Sequence, residues 1–539
     1  MKLDVLGKSW YIDTLVQESE IGGGRYNMSN NTWILIAFVL YFGGIIFVAT
    51  RFRGAKNLSD YFLGGRTLNP WVGALSAQAS DMSGWLLMGL PGAIYAFGTG
   101  RAWIAVGLIL GTAINWLFVA KRLRRYTIVA GNAFTLPQYL ENRFHDKSHA
   151  IKVSAGVFFA VFFTIYVASG FVAGGTFLPQ IFDISYQTAV LLVAVIIVAY
   201  TLIGGFLAIS WIDAFQGILM LTAILILPLI FLFSMGNWAD FTAGIPGGYF
   251  DLFSDGQGGR ITAVSIISDM AWGLGYFGMP HILVRLMAIR SEKEVSKSAV
   301  IAIVWVVLAL GAAVMTGLIG SAFLPGLANR ETVFIDMIRE LFLSPAAFIA
   351  VPFLGGFFLC GIFGAIKSTA DSQLLVASSA ITGDLYHVIN KKAKDKQLVW
   401  ISRVAVLLVT LVALWIALDA YDPALGGPNR STGVMVLVAM AWAGFGAAFG
   451  PLVLLSLFWK RTTKQGAALG IIVGGLTVII WQYLPVVGGA TLGAHTGLYS
   501  LVPGFALSFV SIVVLSLLTK EPSVAILKEF ETASKPLAE

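Results

Sequence analysis

Two runs in this 539-residue chain combine helix-breaking residues with groups that hold ions or polar ligands. The first reads Ala77-Gln78-Ala79-Ser80-Asp81-Met82-Ser83-Gly84-Trp85, followed by Gly89-Leu90-Pro91-Gly92. The second reads Trp272-Gly273-Leu274-Gly275-Tyr276-Phe277-Gly278-Met279-Pro280. Gly and Pro at this density free backbone N–H and C=O groups, which in an apolar surrounding must find partners in protein, water or a ligand. A broken helix can offer a half-helix N-terminus to a carboxylate and unwound carbonyls to a cation. The plainer reading is that Gly and Pro only allow close helix packing and kinks. The pairing of two such runs, with Asp81 inside one break, favours a binding site. The Gly273-x-Gly275-x-x-Gly278 spacing also matches a dinucleotide fingerprint, but that motif needs a βαβ setting, and here it lies in an apolar stretch.

The elements that must position these runs are membrane helices. The chain is 58% apolar and only 12% charged, against roughly 45–50% and about 25% for a soluble domain. Runs such as Trp33–Thr50, Ala189–Ile203, Val300–Phe323 and Val404–Leu418 approach or exceed the roughly 20 residues a helix needs to cross the hydrocarbon. The fold class expected is an all-α integral membrane protein of about thirteen spans, at 32–50, 71–98, 102–120, 150–182, 186–205, 208–236, 262–289, 298–325, 345–386, 400–419, 432–458, 465–485 and 499–518. The longest is expected to include a short outer helix and a helical extension past the membrane. The two broken runs fall in the second and seventh spans. A separation of five fits two inverted five-helix repeats, spans 2–6 and 7–11, each opening with a broken helix.

Charge placement sets the direction. Alternate loops hold 24 Lys and Arg residues, among them Arg51, Arg53, Lys56, Arg66, Arg124, Arg125, Lys152, Arg285 and Lys391. The opposite loops hold only Arg101, Arg260, Arg330, Arg339 and Arg430, with Lys2, Lys8 and Arg25 in the N-terminal segment. The positive-inside rule then puts the N-terminus outside and the C-terminus in the cytoplasm. The net charge of +7 is thus a topology signal and calls for no nucleic acid. Residues 1–31 are expected as an extracytoplasmic segment, 32–520 as the membrane domain and 521–539 as a cytoplasmic tail, with Met28 an alternative start to Met1. The outer loop near 237–261 and the tail are too short for an independent core. Cys360 is the only cysteine, so a disulfide scaffold is excluded. His145 and His149 lie in a charged loop without further ligands and read as solvated residues. No nucleophile–base arrangement points to an enzyme.

Several longer motifs carry a family resemblance. Tyr61-Phe62-Leu63-Gly64-Gly65-Arg66 and Ala79–Gly92 resemble the sodium:solute symporter family, in particular its sodium/proline branch. So do Phe163-Thr164-Ile165-Tyr166, Gly204-Gly205-Phe206-Leu207-Ala208 with Trp211 and Asp213, and Trp272–Gly278. Ser378–Thr382 with Asp384-Leu385-Tyr386, and Ala441–Pro451, extend the match, which runs from about residue 32 to 520. The resemblance implies a LeuT-like core, alternating access and cotransport of a small amino acid with a cation. It places sodium between the second and ninth spans, on the carbonyls of Ala79, Met82 and Ala365 and the hydroxyls of Ser368 and Thr369. Asp81 would organise ion and substrate, and Asp213 would be a second acid on the ion route. Tyr166, Trp272, Tyr276 and Pro280, with Ser83, Gly84 and Trp85, would line the substrate pocket. Arg66 would be a conformationally important arginine, though its position is equally that of a positive-inside residue.

The sequence departs from that branch at Lys367, in place of an apolar residue, and at Asp371, in place of a small polar one. A charge near the bilayer centre costs about 2.5–3.5 kcal/mol on the insertion scale. Either the two residues neutralise each other as an i,i+4 pair, or the Lys367 ammonium stands in for sodium and coupling passes to protons. The intact Ala/Ser/Thr set tilts the balance to sodium. Gln78, Asp269 and Met279 are further departures, and they bear on substrate selectivity. The function expected is sodium-driven uptake of L-proline across a bacterial inner membrane, with sodium as the only inorganic requirement and no obligate protein partner. The rival readings are proton-coupled or sodium-independent transport of proline or another small amino acid, a transporter-like membrane sensor, and a passive channel.

Overall fold

The computed structural model describes residues 29–52, 58–203, 205–234, 242–243, 245, 247–344, 351–390, 392–422, 427–428, 433–487 and 489–536. The expectations for segment 1–28 with Met28, for Arg53, Lys56, Gly204, Lys391 and Arg430, and for residues 235–241 and 345–350 lie outside them.

The principal helices are α1 (Asn30–Arg51), α2 (Pro70–Gly84), α3 (Leu90–Phe97), α4 (Ala102–Ile114), α5 (Ala120–Val129), α6 (Leu136–Arg143), α7 (Ala150–Phe177), α8 (Tyr186–Ile203) and α9 (Phe206–Ser234). They continue as α10 (Ala263–Met270), α11 (Pro280–Ala288), α12 (Glu292–Phe323), α13 (Pro352–Ser379), α14 (Asp395–Asp419), α15 (Val434–Phe458), α16 (Lys464–Tyr483), α17 (Leu501–Leu518) and α18 (Val524–Ser534). Among the described residues, ten helical stretches are long and apolar enough to cross a bilayer. One of them, Pro70–Val129, turns at Gly98, whose φ of +70° suits glycine alone. The apolar α8 is somewhat shorter, and the segment expected as the seventh span is divided into α10, a 3₁₀ stretch at Ala271–Phe277 and α11.

Sequence signals set the ends of these helices. Asn69 caps α2 by accepting the Val72 amide at 3.0 Å, with Pro70 at the first helical position. Ser291 caps α12 in the same way and Thr463 caps α16. The faces follow from residue size. On α14, Ala405, Val409, Ala413 and Ala417 are buried, while Leu407, Leu408, Leu411, Val412 and Trp415 are exposed. Small residues face the bundle and large apolar ones face outward, the arrangement expected when the surrounding solvent is lipid. By contrast α13 and α15 are buried almost throughout and form the centre.

Two contacts hold the broken segments in place. At the Lys/Arg-rich end, the Leu68 amide donates to Ala288 and the Arg290 amide donates to Leu68, pinning the entry of α2 to the exit of α11. Across the bundle, α4 lies against the 3₁₀ stretch so closely that a Cβ on Gly111 or Gly273 would collide with the facing backbone. Two short antiparallel ladders, Tyr421–Asp422 with Gly427–Pro428 and Pro485–Val487 with Ala490–Thr491, decorate the opposite end. The described part of the tail carries a helix. Ile526, Phe530 and Ala533 of α18 are buried, and Phe530 packs on Tyr126 at 6.1 Å between ring centres.

Candidate functional site

The break in α2 falls at Ser83, with φ 47° and ψ −169° inside an otherwise helical run. A non-glycine residue in that region stores roughly 1–3 kcal/mol. Its hydroxyl offsets part of that cost by accepting the Trp85 amide at 3.1 Å. A π turn follows at Trp85–Gly89 and leads into α3. Facing this break, Met279 leaves the helical region and Pro280 restarts the chain as the first residue of α11. The two interruptions meet side by side. Tyr276 donates its hydroxyl to Asp81 at 2.6 Å, and the rings of Trp85 and Trp272 stack at 5.6 Å.

Between them lies a cavity of about 10 Å³ lined by Asp81, Met82, Trp85, Leu108, Tyr166, Trp272, Tyr276, Val438 and Trp442. That is room for about one water. The Trp442 indole donates to the Trp272 carbonyl at 2.7 Å and stands edge-on to Tyr276. The Trp85 indole donates to the Met435 sulfur at 2.8 Å. The wall is therefore aromatic, with one carboxylate directed by a phenol.

Of the residues expected at a substrate pocket, Asp81, Trp85, Tyr166, Trp272 and Tyr276 line this cavity, while Ser83, Gly84 and Pro280 lie outside its lining. Ser83 shapes the break. Gly84 is small because a Cβ there would press on Ala173 and Ile366. Leu108, Val438 and Trp442 join the lining without being among the residues expected there. Trp442 stands in a motif quoted above, yet an aromatic residue in an apolar helix ordinarily reads as packing, and only the approach of α15 reveals its place. Gln78 and Met279 are buried outside the lining, and Asp269 pairs with Arg101 at 3.2 Å toward the end of the bundle opposite Arg66.

Beside the cavity, oxygens converge from α2 and α13. The Ser368 hydroxyl donates to the Ala79 carbonyl at 2.8 Å and lies 3.3 Å from the Ala365 carbonyl. Thr369 reaches the same Ala79 oxygen at 3.4 Å. Four of the five expected sodium ligands thus meet, and an all-oxygen set suits a hard cation. The fifth, the Met82 carbonyl, accepts the Trp85 amide.

Asp213 has a different setting. It forms a buried ion pair with Arg285 at 2.7 Å and also accepts from Ser76 at 3.0 Å. The same guanidinium donates to Ser76, to Ser372 at 2.6 Å and to the His281 carbonyl. The charge pattern alone places Arg285 with the loop charges. It lies wholly inside the bundle, because a carboxylate buried on α9 requires a cation within reach. Lys367 pairs with Asp371 at 2.6 Å, with its ammonium over the Tyr200 ring at 4.8 Å, so it faces α8. Arg66, with φ 56°, donates to Asn132, to the Met287 carbonyl at 2.6 Å and to the Ala133 carbonyl at 2.8 Å. It ties the entry of α2 to the end of α11 and to the turn after α5.

The sodium:solute symporter family matches residues 61–474. The high-affinity proline transporter PutP of Bacillus subtilis is 46% identical over 484 residues, covering 89% of this chain and 96% of its own. The sodium/proline symporter of Escherichia coli is 44% identical over 516 residues, covering 94% and 97%. A Na+-coupled sialic acid symporter, solved substrate-bound and outward-open, superposes with a TM-score of 0.72 at 18% identity over 91% of this chain and 99% of its own. That likeness establishes the fold, a LeuT-like arrangement of inverted repeats.

Proposed function

Because this chain belongs to the sodium:solute symporter family, we propose that it is a secondary transporter that takes up L-proline with sodium by alternating access. The observation that carries this reading is the placement of Asp81. Its carboxylate opens into an aromatic cavity, while the Ala79 carbonyl, two residues earlier, belongs to the oxygen set shared with Ala365, Ser368 and Thr369. Substrate and ion would then be read by one broken helix. Sodium would sit on those oxygens, joined by the Met82 carbonyl once the Trp85 amide turns away. The substrate amine would engage Asp81, and the indole walls would cover the pyrrolidine ring at about 0.8 kcal/mol per buried methylene.

A cavity of about 10 Å³ is contracted around its own side chains. Loading requires the Trp442–Trp272 and Trp85–Met435 contacts to part on one side, and release requires the Arg66 tie to loosen on the other. That is how rocking of one bundle against the other would expose the site alternately. Binding, closure and release suffice, with no covalent step. In the same reading the Lys/Arg-rich end is cytoplasmic, the N-terminus is outside, the chain crosses a bacterial inner membrane about thirteen times, and Asp213 with Arg285 acts on the ion route from a buried pair. Lys367 favours no second reading, since it pairs with Asp371 and faces α8.

Equilibrium binding of radiolabelled L-proline to the purified protein tests the proposal. Binding should be saturable, should need sodium, and should not be displaced by bulkier amino acids at equal concentration. Absence of binding at any sodium concentration would overturn it.

A further inference from the structure

A second cavity, of about 290 Å³, lies at the Lys/Arg-rich end between α6, α7, the π turn at Ala380–Tyr386 and the start of α14. This is close to the lower edge of the roughly 300–1,000 Å³ range of small-molecule pockets. One side is apolar, with Phe62 and Phe134 stacked at 6.4 Å and Leu398 beside them. The other side carries Thr135, Lys152, Thr382 and Asp384. Lys152 stands 3.3 Å from Glu141 and 3.9 Å from one Asp384 oxygen, which Thr135 also reaches at 3.5 Å. Among the described residues the other Asp384 oxygen and the Thr382 hydroxyl have no hydrogen-bond partner, and both residues are 1% exposed. The two unpaired atoms border one cavity, where a polar ligand or water can meet them.

We propose that this cavity is a second substrate station, which holds a zwitterionic amino acid with its amine on Asp384 and Thr382, its carboxylate toward Lys152 and its apolar body against Phe62 and Phe134. The inference rests on the reading of the chain as a proline carrier. An ammonium, a carboxylate and an apolar wall around one cavity suit a zwitterion with an apolar body, whereas a bare cation would use only the Asp384 side. The placement matches an exit path. Lys152 and Tyr166 lie on α7 fourteen residues apart, roughly 21 Å and about four turns, so they share a face. The helical stretch Pro352–Tyr386 likewise carries Ser368 and Thr369 above and Asp384 below. The two helices that flank the central site therefore also flank this one, toward the cytoplasm.

The test is the number of L-proline molecules bound per chain, measured by calorimetric titration of the full-length protein in saturating sodium to millimolar proline. Two are expected in the wild type, one of them weak. Asp384→Asn and Thr382→Val should each reduce the number to one and leave the tight site's affinity within about twofold, while Asp81→Asn should retain only the weak one. A single proline in the wild type, or two in both Asp384→Asn and Thr382→Val, would overturn the proposal while leaving the transport reading intact. No proline in the wild type would remove the transport reading itself. Loss of bound sodium instead of proline in Asp384→Asn would mark a cation site and overturn the proposal equally.

Discussion

The Lys367 ammonium lies 2.6 Å from the Asp371 carboxylate one turn further along α13, and both side chains are wholly buried. Their neighbours Ser368 and Thr369 point to Ala79 on α2, so the charged pair and the oxygen set occupy different faces of one helix. The pair therefore neutralises itself. Removing one member should be far worse than removing both. Lys367→Met leaves a buried carboxylate unpaired and should destabilise the protein by about 3–5 kcal/mol, while Lys367→Met with Asp371→Leu should regain most of that. Denaturant titration in detergent checks the pattern, and a double variant as damaged as the single would refute it.

Ser368 and Thr369 should act on the ion before the substrate. Ser368→Ala and Thr369→Ala each remove one oxygen from a hard-cation site, and Ser368, at 2.8 Å from Ala79 against 3.4 Å for Thr369, should matter more. The sodium concentration for half-maximal proline binding should rise roughly tenfold or more, equivalent to about 1.4 kcal/mol. Proline affinity at saturating sodium should change far less. A sodium titration of proline binding separates the two effects.

Much of this site was legible in the sequence because its broken helices are written locally. Gly and Pro mark the interruptions at Ser83–Gly92 and Gly273–Pro280, and Asp81, Trp85, Trp272 and Tyr276 lie within or beside them. What could not be read are contributions from elements far apart in the chain. Trp442 and Val438 arrive on α15, and Leu108 arrives on α4 through a glycine contact. A count of basic residues does not distinguish a loop charge from one matched to a buried carboxylate, as Arg285 is to Asp213, 72 residues earlier. The helix in the tail is hidden for a similar reason, since its apolar face becomes evident only against Tyr126 and Arg143.

Tyr276 should control how Asp81 meets the substrate. Tyr276→Phe keeps the ring that borders the cavity and removes only the 2.6 Å hydrogen bond. A hydrogen bond to a charged group contributes about 1.5–3 kcal/mol, so proline affinity should fall roughly ten- to hundredfold. The bond is formed without substrate too, so the variant should also lose some thermal stability, and an unfolding transition that stays cooperative would show that the fold is kept.

Arg285 and Asp213 should behave as one unit. Their geometry is a fork shared among Asp213, Ser76 and Ser372, which a lysine cannot reproduce. Arg285→Lys should therefore lose much of the transport rate, and Arg285→Met should express poorly. In a double-mutant cycle with Asp213→Asn the two losses should be strongly non-additive. Additive losses would show that the pair is incidental.

Acid sensitivity should have a contribution from Asp146, in the turn before α7. Burial opposes its charge, but hydrogen bonds from the Ser148 hydroxyl and from the Ile151 and Ser148 amides, with the Lys464 charge, outweigh burial and hold the carboxyl below its ordinary value. Because the folded-state pKa is depressed, the stabilisation is complete above the unfolded value of about 3.9 and is lost as pH falls through the folded one. Thermal unfolding of wild type and Asp146→Asn should differ most near pH 6, and the difference should shrink below about pH 4.

The most direct measurement is L-proline uptake into proteoliposomes, first under an inward sodium gradient at equal pH and then under an inward proton gradient without sodium. Uptake is expected in the first condition and none in the second, with the same outcome for the Lys367→Met, Asp371→Leu double variant. Uptake that follows the proton gradient and ignores sodium would rule out sodium coupling.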